Sequence, residues 1–350
     1  MRVTFAEIAT ANPMGQQAYE QAIQAAIADE CVPNLELEAL RVTSLRNPVS
    51  ADRRLPWGLL ERSPAFLARR IGAWTYRGVD LLHRLDLRLP PSSGPEVVTV
   101  HDLPGLRFDD EGRVPSFLAA GAAHAAAVIV PSTFAGQEVV DLLHVDPARL
   151  RVIPYGLSRT YAVPPQEPSK PELLTVPRPF VLHAAGATTR KNLAQLAAAW
   201  QSVAARVPKV HLLLCGPEDR RRHDAFAGLE RVHLLGRLAP ADVAWLMHRA
   251  EAVVVPSSYE GFGLPALEGM AAGVPVVAAR AGALPEVCED AALLVEPHAS
   301  ALADGLLTVL LEEDVRAGLI SRGPKRAAAF DWGVAARHHI DVYREVGGHV

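Results

Sequence analysis

Cysteine is scarce in this chain, basic charge is not in excess, and long apolar runs are missing. Cys31, Cys215 and Cys288 are far apart and odd in number, which argues against a disulfide framework and fits a reducing cytosol. Lys and Arg total 35 against 39 acidic residues, a formal charge of −4, so the electrostatic footprint of a nucleic-acid binder is missing. No stretch reaches the roughly 18 apolar residues needed to span a membrane, although contact with a membrane surface stays open. The 13 histidines are scattered without metal-ligand spacing, so no metal site is assigned. The opening MRVTFAEIATANPMGQQ has a single arginine and a short apolar stretch, and does not read as a signal peptide. A cytoplasmic protein is the expectation.

What is there is a repeating alternation of short apolar runs with amphipathic stretches. Apolar runs near 2–6, 36–42, 79–83, 97–101, 127–131 and 151–154 predict strands in the first half. Those near 180–184, 210–215, 232–235, 252–256, 275–279 and 292–295 predict strands in the second. HLLLC and AVVVP are apolar on both faces, as strands covered by helices on each side must be. In LAQLAAAWQSVA, Leu193, Leu196, Ala197, Trp200 and Ala204 share one helix face. The class is therefore α/β with doubly wound parallel sheets. A chain of 350 residues is long for one domain, and YAVPPQEPSKPELLTVPRP, with its six prolines, predicts the break. Two Rossmann-like domains facing a central cleft follow: 1–160, a proline-rich linker at 161–178, and 179–332. A final helix, 333–350, is a candidate to pack back on the first domain.

In open α/β sheets ligands bind beyond the carboxyl ends of strands, where helices begin. AVVVPSSYEGFGLPALEGM runs from a strand ending near Pro256, through a turn, into a helix. Gly261 and Gly263 let the backbone take positive φ and approach a ligand, and Pro265 suits the first helical turn. Amides around Gly263, Leu264, Ala266 and Leu267 would face an anion at the positive end of the helix. Glu260 precedes that helix and Glu268 lies one turn inside it, so both carboxylates can reach one cleft. A carboxylate accepts two hydroxyl hydrogen bonds, which suits a ribose at one acid and a hexose at the other. VLHAAGATTRKNLAQL sets Arg190 and Lys191 before another helix, where they would neutralise a departing diphosphate. The plan needs no nucleophile, metal or cofactor beyond a nucleoside-diphosphate sugar.

The order GATTRKN, LLGRLAPADVAWLMHRAEAVVVPSSYEGFGLPALEGMAAGVPVV, GALPEV and FDWGVAA resembles a retaining glycosyltransferase of family 4 with the GT-B fold. The Glu-x7-Glu signature is met by Glu260 and Glu268. Resemblance is strong over 176–335, moderate over 79–160 and loose over the first 70 residues. It implies that Glu260 contacts the transferred sugar and Glu268 the ribose. Phe262, Gly263 and Leu264 would offer backbone amides, Arg190 and Lys191 would hold the diphosphate, and Gly236 and Arg237 would line the base pocket. His101 would face the sugar from the first domain, while Gly15 and Gly186 would approach the donor. A front-face mechanism, in which the leaving phosphate oxygen helps deprotonate the acceptor, makes a dedicated base unnecessary. Three departures stand out: the first loop has Gly15 alone, Ala187 replaces a frequent arginine after Gly186, and Tyr155-Gly156 replaces a frequent Asn-Gly.

Plainer readings compete at several positions. Arg237 is either a base-pocket residue or a surface arginine, and His83 is either structural or part of the site. His338 and His339 read as surface residues, RRRHD at 220–224 as a solvated loop, and Trp57, Trp74 and Tyr76 as core. The leading function is hexose transfer from a nucleotide sugar to an acceptor hydroxyl, with GDP-mannose preferred over UDP-sugars. An epimerase-like GT-B enzyme and a non-catalytic sugar-nucleotide sensor are the alternatives; a dehydrogenase lacks its Gly-x-Gly-x-x-Gly. Acceptors of lipid, polysaccharide or small-molecule type stay open.

Overall fold

Runs of valine, leucine and isoleucine without polar alternation become strands buried on both faces, as at Ala127–Val130 and Ala252–Val255. The structure, a computed structural model, describes residues 1–10 and 15–348. The loop reading at Asn12 to Met14 lies outside the described residues. The first sheet is formed by β1 (Arg2–Ile8), β2 (Glu36–Ser44), β3 (Arg53–Leu55), β4 (Leu81–Arg84), β5 (Glu96–Thr99), β6 (Ala127–Val130) and β7 (Leu150–Val152). Its order is β3-β2-β1-β4-β5-β6-β7. The second contains β8 (Phe180–Ala184), β9 (His211–Cys215), β10 (Val232–Gly236), β11 (Ala252–Val255), β12 (Val276–Ala279) and β13 (Leu293–Val295). Its order is β10-β9-β8-β11-β12-β13. Every pairing described is parallel. Each order reverses once, between β1 and β4 and between β8 and β11, and these are the switch points where such sheets open a crevice. Short β3 escapes the sequence pattern because Arg53 and Arg54 break its apolar run.

Helices α1 (Gly15–Asp29), α2 (Trp57–Leu60), α3 (Ala65–Thr75), α4 (Leu118–His124) and α5 (Thr133–Leu143) belong to the first unit. In the second are α6 (Arg159–Ala162), α7 (Leu193–Arg206), α8 (Arg220–Phe226), α9 (Pro240–Met247), α10 (Leu264–Ala271), α11 (Leu284–Cys288), α12 (Ala299–Leu311) and α13 (Glu313–Ala327). The last, α14 (Trp332–Gly347), returns to the first. The units are Met1–Gly156 with Asp331–Val350, and Leu157–Phe330.

The proline-rich segment is not a free linker. It carries α6 and a 3-10 turn at Pro171–Thr175, and it belongs wholly to the second unit. The cause is polar as well as apolar: fully buried Asp242 accepts hydrogen bonds at 2.6 Å from the Ser169 amide and from its hydroxyl. Leu173 and Tyr161 are buried beside it in sequence. Proline fixes φ without forbidding burial, and a composition argument overlooks that.

Helix α14 docks on the first unit through Ala335, Ala336, His339, Ile340, Val342 and Tyr343. His339, read from sequence as a surface residue, is buried and hydrogen-bonded to the Tyr19 hydroxyl at 2.9 Å, whereas neighbouring His338 is exposed. Both ring nitrogens of His83 are occupied, by Tyr343 at 2.7 Å and Thr99 at 2.8 Å, which makes it structural. Trp74 is exposed rather than core, while Tyr76 is buried.

Removing the Asp242 carboxylate strands the Ser169 donors. Asp242→Ala is expected to lower unfolding free energy by about 1–3 kcal/mol and to open residues 161–178 to limited proteolysis. Denaturant titration and protease mapping check both.

Candidate active site

At the switch point of the second sheet, two loops carry most of the candidate residues. The loop after β8 ends in a 3-10 turn, Thr189–Lys191, and the left-handed Asn192 (φ 58°). The loop after β11 reaches Gly263, whose φ of 102° only glycine takes easily, and then α10. Asn192 fastens the two together, because its Nδ2 donates to the carbonyls of Pro256 and Pro297, both at 2.9 Å. The Ser258 amide donates to the Arg190 carbonyl at 2.8 Å. Sequence reading passed over Asn192 as part of a motif string; the signal was a side-chain amide placed where a helix starts.

These ties bring Arg190, Lys191 and Glu260 into one cluster. Lys191 Nζ lies 2.6 Å from Glu260 Oε1, and Arg190 Nη1 lies 3.3 Å from Oε2. Both Lys191 and Glu260 are buried. Burial by itself would raise the Glu260 pKa, but the Lys191 and Arg190 charges hold it below the usual carboxylate range. Gly282 (φ 57°) presses on the same residue: a Cβ there would sit 2.5 Å from the Glu260 carbonyl oxygen. His183 on β8 is buried behind the cluster, donates from Nδ1 to the Val254 carbonyl at 3.1 Å, and has its pKa pushed down to about 4 by burial.

Glu268 sits in a different environment. Desolvation raises its pKa to about 7, against the opposing effect of a hydrogen bond from the Tyr161 hydroxyl. Tyr161 comes from α6, inside the segment that composition reads as linker, so this partner was invisible in the sequence. Two acids of one signature thus titrate apart: Glu260 is ionised, and Glu268 is half-protonated near neutrality.

One reading of the helix start needs correction. The Ala266 and Leu267 amides donate to the Gly263 carbonyl at 3.0 and 3.3 Å, so they are not open to an anion. The first turn has already closed on itself, which leaves the Gly263 and Leu264 amides without a partner among the described residues. Phe262 is buried edge-on to Phe330, with ring centroids 5.6 Å apart. Gly186 follows β8 with nothing within 4 Å of a virtual Cβ, and Ala187 is buried. Gly236 ends β10 at φ 65°, where a Cβ would lie 2.8 Å from Glu218 Oε1; Arg237 is exposed. Nor is RRRHD a solvated loop. It opens α8, and Arg222 is buried, donating to the carbonyls of Ala185 at 2.5 Å and Pro217 at 2.8 Å.

His101 and Gly15 belong to the first unit, Gly15 opening α1 with its surface exposed. His101 Nδ1 is hydrogen-bonded with the Tyr155 hydroxyl at 2.5 Å. Tyr155, the departure noted after the last strand of that domain, therefore orients the histidine. Burial pushes the His101 pKa down to about 4, so the ring is neutral at pH 7. A cavity of about 200 Å³ opens here, lined in part by Gln16, Asp86, Arg88, His101 and Arg113. Gln16 donates to Asp86 at 3.1 Å, and Arg88 pairs with Asp86 at 2.6 Å. None of that trio carries a sequence signal, because a loop after β4 and the start of α1 meet only in three dimensions.

Residues 166–326 match the family model of the glycosyl transferases group 1. The O-antigen chain mannosyltransferase B of Escherichia coli is 28% identical over 83% of this chain and 81% of its own length. The phosphatidyl-myo-inositol mannosyltransferase of Mycolicibacterium smegmatis is 33% identical over 45% of this chain and 43% of its own. Among solved structures, sucrose-phosphate synthase from Thermosynechococcus elongatus superposes with a TM-score of 0.78 at 24% identity, covering all of both chains. The second half of the chain is thus similar to the group 1 glycosyl transferases. The fold, two parallel-sheet Rossmann-like units of the GT-B type, is shared across the whole length.

The buried ion pair should behave as one unit. Glu260→Ala strands Lys191 and is expected to destabilise the protein by about 3–5 kcal/mol, whereas adding Lys191→Met should recover most of the loss; a double-mutant cycle in denaturant measures it. Glu268 gives a pH signature. Its folded pKa of about 7 lies above the ordinary value of 4.5, so the fold binds extra proton between those pH values and its stability contribution is lost as pH rises through 7. Melting curves from pH 5 to 8 should show that fall, and Glu268→Gln should flatten it.

Proposed function

We propose that the protein is a retaining glycosyltransferase of family 4 type, moving a hexose from a nucleoside-diphosphate sugar to an acceptor hydroxyl without a metal or further cofactor. The observation that carries this reading is the Lys191–Arg190–Glu260 cluster at the β8/β11 switch point, beside the open amides of Gly263 and Leu264. In the free protein both cations pair with the single carboxylate of Glu260, which leaves the cluster with a net positive charge. An arriving diphosphate offers them more negative charge, and the fork of Arg190 and the point charge of Lys191 turn toward it. Glu260 is then released to accept hydroxyl hydrogen bonds from the hexose, while the ionised form of Glu268 accepts those of the ribose at the other end. As the glycosidic bond breaks, charge builds on the diphosphate, and the same cations and amides stabilise it more than they stabilise the ground state.

Phe262, Gly186, Gly236 and Arg237 are assigned to the donor pocket, with Gly15 approaching the phosphates. His101, neutral and held by Tyr155, is assigned to a sugar hydroxyl. The cavity beside it, with Arg88 and Arg113, is the acceptor site in this reading. GDP-mannose is the preferred donor over UDP-sugars, in keeping with the mannosyltransferase names of the two curated relatives. One of those names specifies a phosphatidyl-myo-inositol acceptor and the other an O-antigen chain. A lipid-linked or glycan acceptor is the matching proposal here.

Incubation with a panel of GDP-, UDP- and ADP-sugars, followed by diphosphate-release assay and thermal shift, tests the donor. GDP-mannose should raise the melting temperature and turn over. If no nucleotide sugar binds, the reading fails. Lys191→Ala leaves Glu260 with Arg190 as its partner, so the fold should persist at lower stability while turnover drops by on the order of 10²-fold or more; wild-type turnover would remove its role.

A further inference from the structure

Helix α3 packs Ile71 partly against the core but leaves its other large apolar side chains outside. Its buried residues are Ala68, Gly72 and Thr75, all small. Gly72 is held so close that a Cβ would lie 2.0 Å from the Pro91 carbonyl oxygen. Outward point Phe66 (70% exposed), Leu67 (40%) and Trp74 (64%), joined by Leu59 of α2 (73%). Phe66, Arg70 and Trp74 are spaced four apart, so an arginine sits between two aromatic rings on one helix face. Arg62, Arg70 and Arg77 are exposed, and none of their three guanidinium groups has an ion pair or hydrogen-bond partner among the described residues. Over residues 53–77 six arginines face one glutamate, a net of +5 in a chain whose total is −4.

We propose that the α2–α3 face docks the first unit on an anionic phospholipid surface. Exposed aromatic and aliphatic side chains interleaved with unpaired arginines match a bilayer interface, where rings enter the acyl boundary and guanidinium groups meet phosphates. A second copy is a poor occupant, because a two-fold contact sets like charge against like charge. An acidic polypeptide is a poorer one, since its carboxylates would answer the arginines but leave exposed Phe66 and Trp74 without an apolar partner. The inference does not rest on the transferase reading, and its test needs no donor.

The full-length protein is sedimented with vesicles of equal phosphatidylcholine and phosphatidylglycerol, and with phosphatidylcholine alone. Binding to the anionic vesicles, weakened by raised salt, is expected, with little binding to the neutral ones. Phe66→Ser/Trp74→Ser and Arg70→Glu/Arg77→Glu should each reduce it by on the order of tenfold or more. All four positions are exposed, and unchanged melting curves confirm that the variants fold. No binding to anionic vesicles, binding untouched by either double variant, or loss in the charge variant alone would overturn the proposal. So would a concentration-dependent dimer abolished by both variants, or binding to polyglutamate in place of vesicles.

Discussion

A lysine and a glutamate cannot be taken out of water separately at tolerable cost, and that constraint organises the second unit. Lys191 and Glu260 lie on loops 69 residues apart, so the loops after β8 and β11 must be brought to one place and held there. Asn192, the Ser258 amide and Gly282 do the holding. The left-handed turns at Asn192 and Gly263 follow from the same demand, since each lets its loop reverse sharply into a helix. In the proposed mechanism this internal salt bridge is given up to a diphosphate; without ligand the two charges satisfy each other.

The contrast between Glu260 and Glu268 shows environment overriding residue type. Both are glutamates of one helix start, yet opposite charge depresses one pKa and desolvation raises the other. In the proposed mechanism that asymmetry suits two tasks: one acid faces cations and a sugar at the reacting end, and the other faces a neutral ribose at the far end.

The first unit keeps its polar interior on a chain of aromatic and histidine contacts. His83, Tyr343, His339, Tyr19, Tyr155 and His101 connect α14 to the ends of the central strands. Burial keeps His83, His101 and His339 neutral, and a tyrosine hydroxyl meets one nitrogen of each ring. Gly156 belongs to this arrangement as well, because Trp332 occupies the space a side chain would need. The departure from Asn-Gly to Tyr-Gly is thus tied to the histidine it orients.

The sequence by itself determined every strand but β3, the parallel α/β class and which acids and cations are candidates, since apolar runs without alternation and glycine turns before helices are local signals. AVVVP needs nothing beyond itself to be recognised as a buried strand, and Arg190 and Lys191 announce themselves at a helix start. Tertiary structure alone decided who meets whom. Tyr161 reaches Glu268, Ser169 reaches Asp242, Gln16 reaches Asp86, and His339 turns inward while His338 does not; each depends on elements distant in the chain. Composition misread residues 161–178 and Trp74 for one reason: proline content and aromatic character state a residue's own preference, whereas burial is settled by the surface it is packed against.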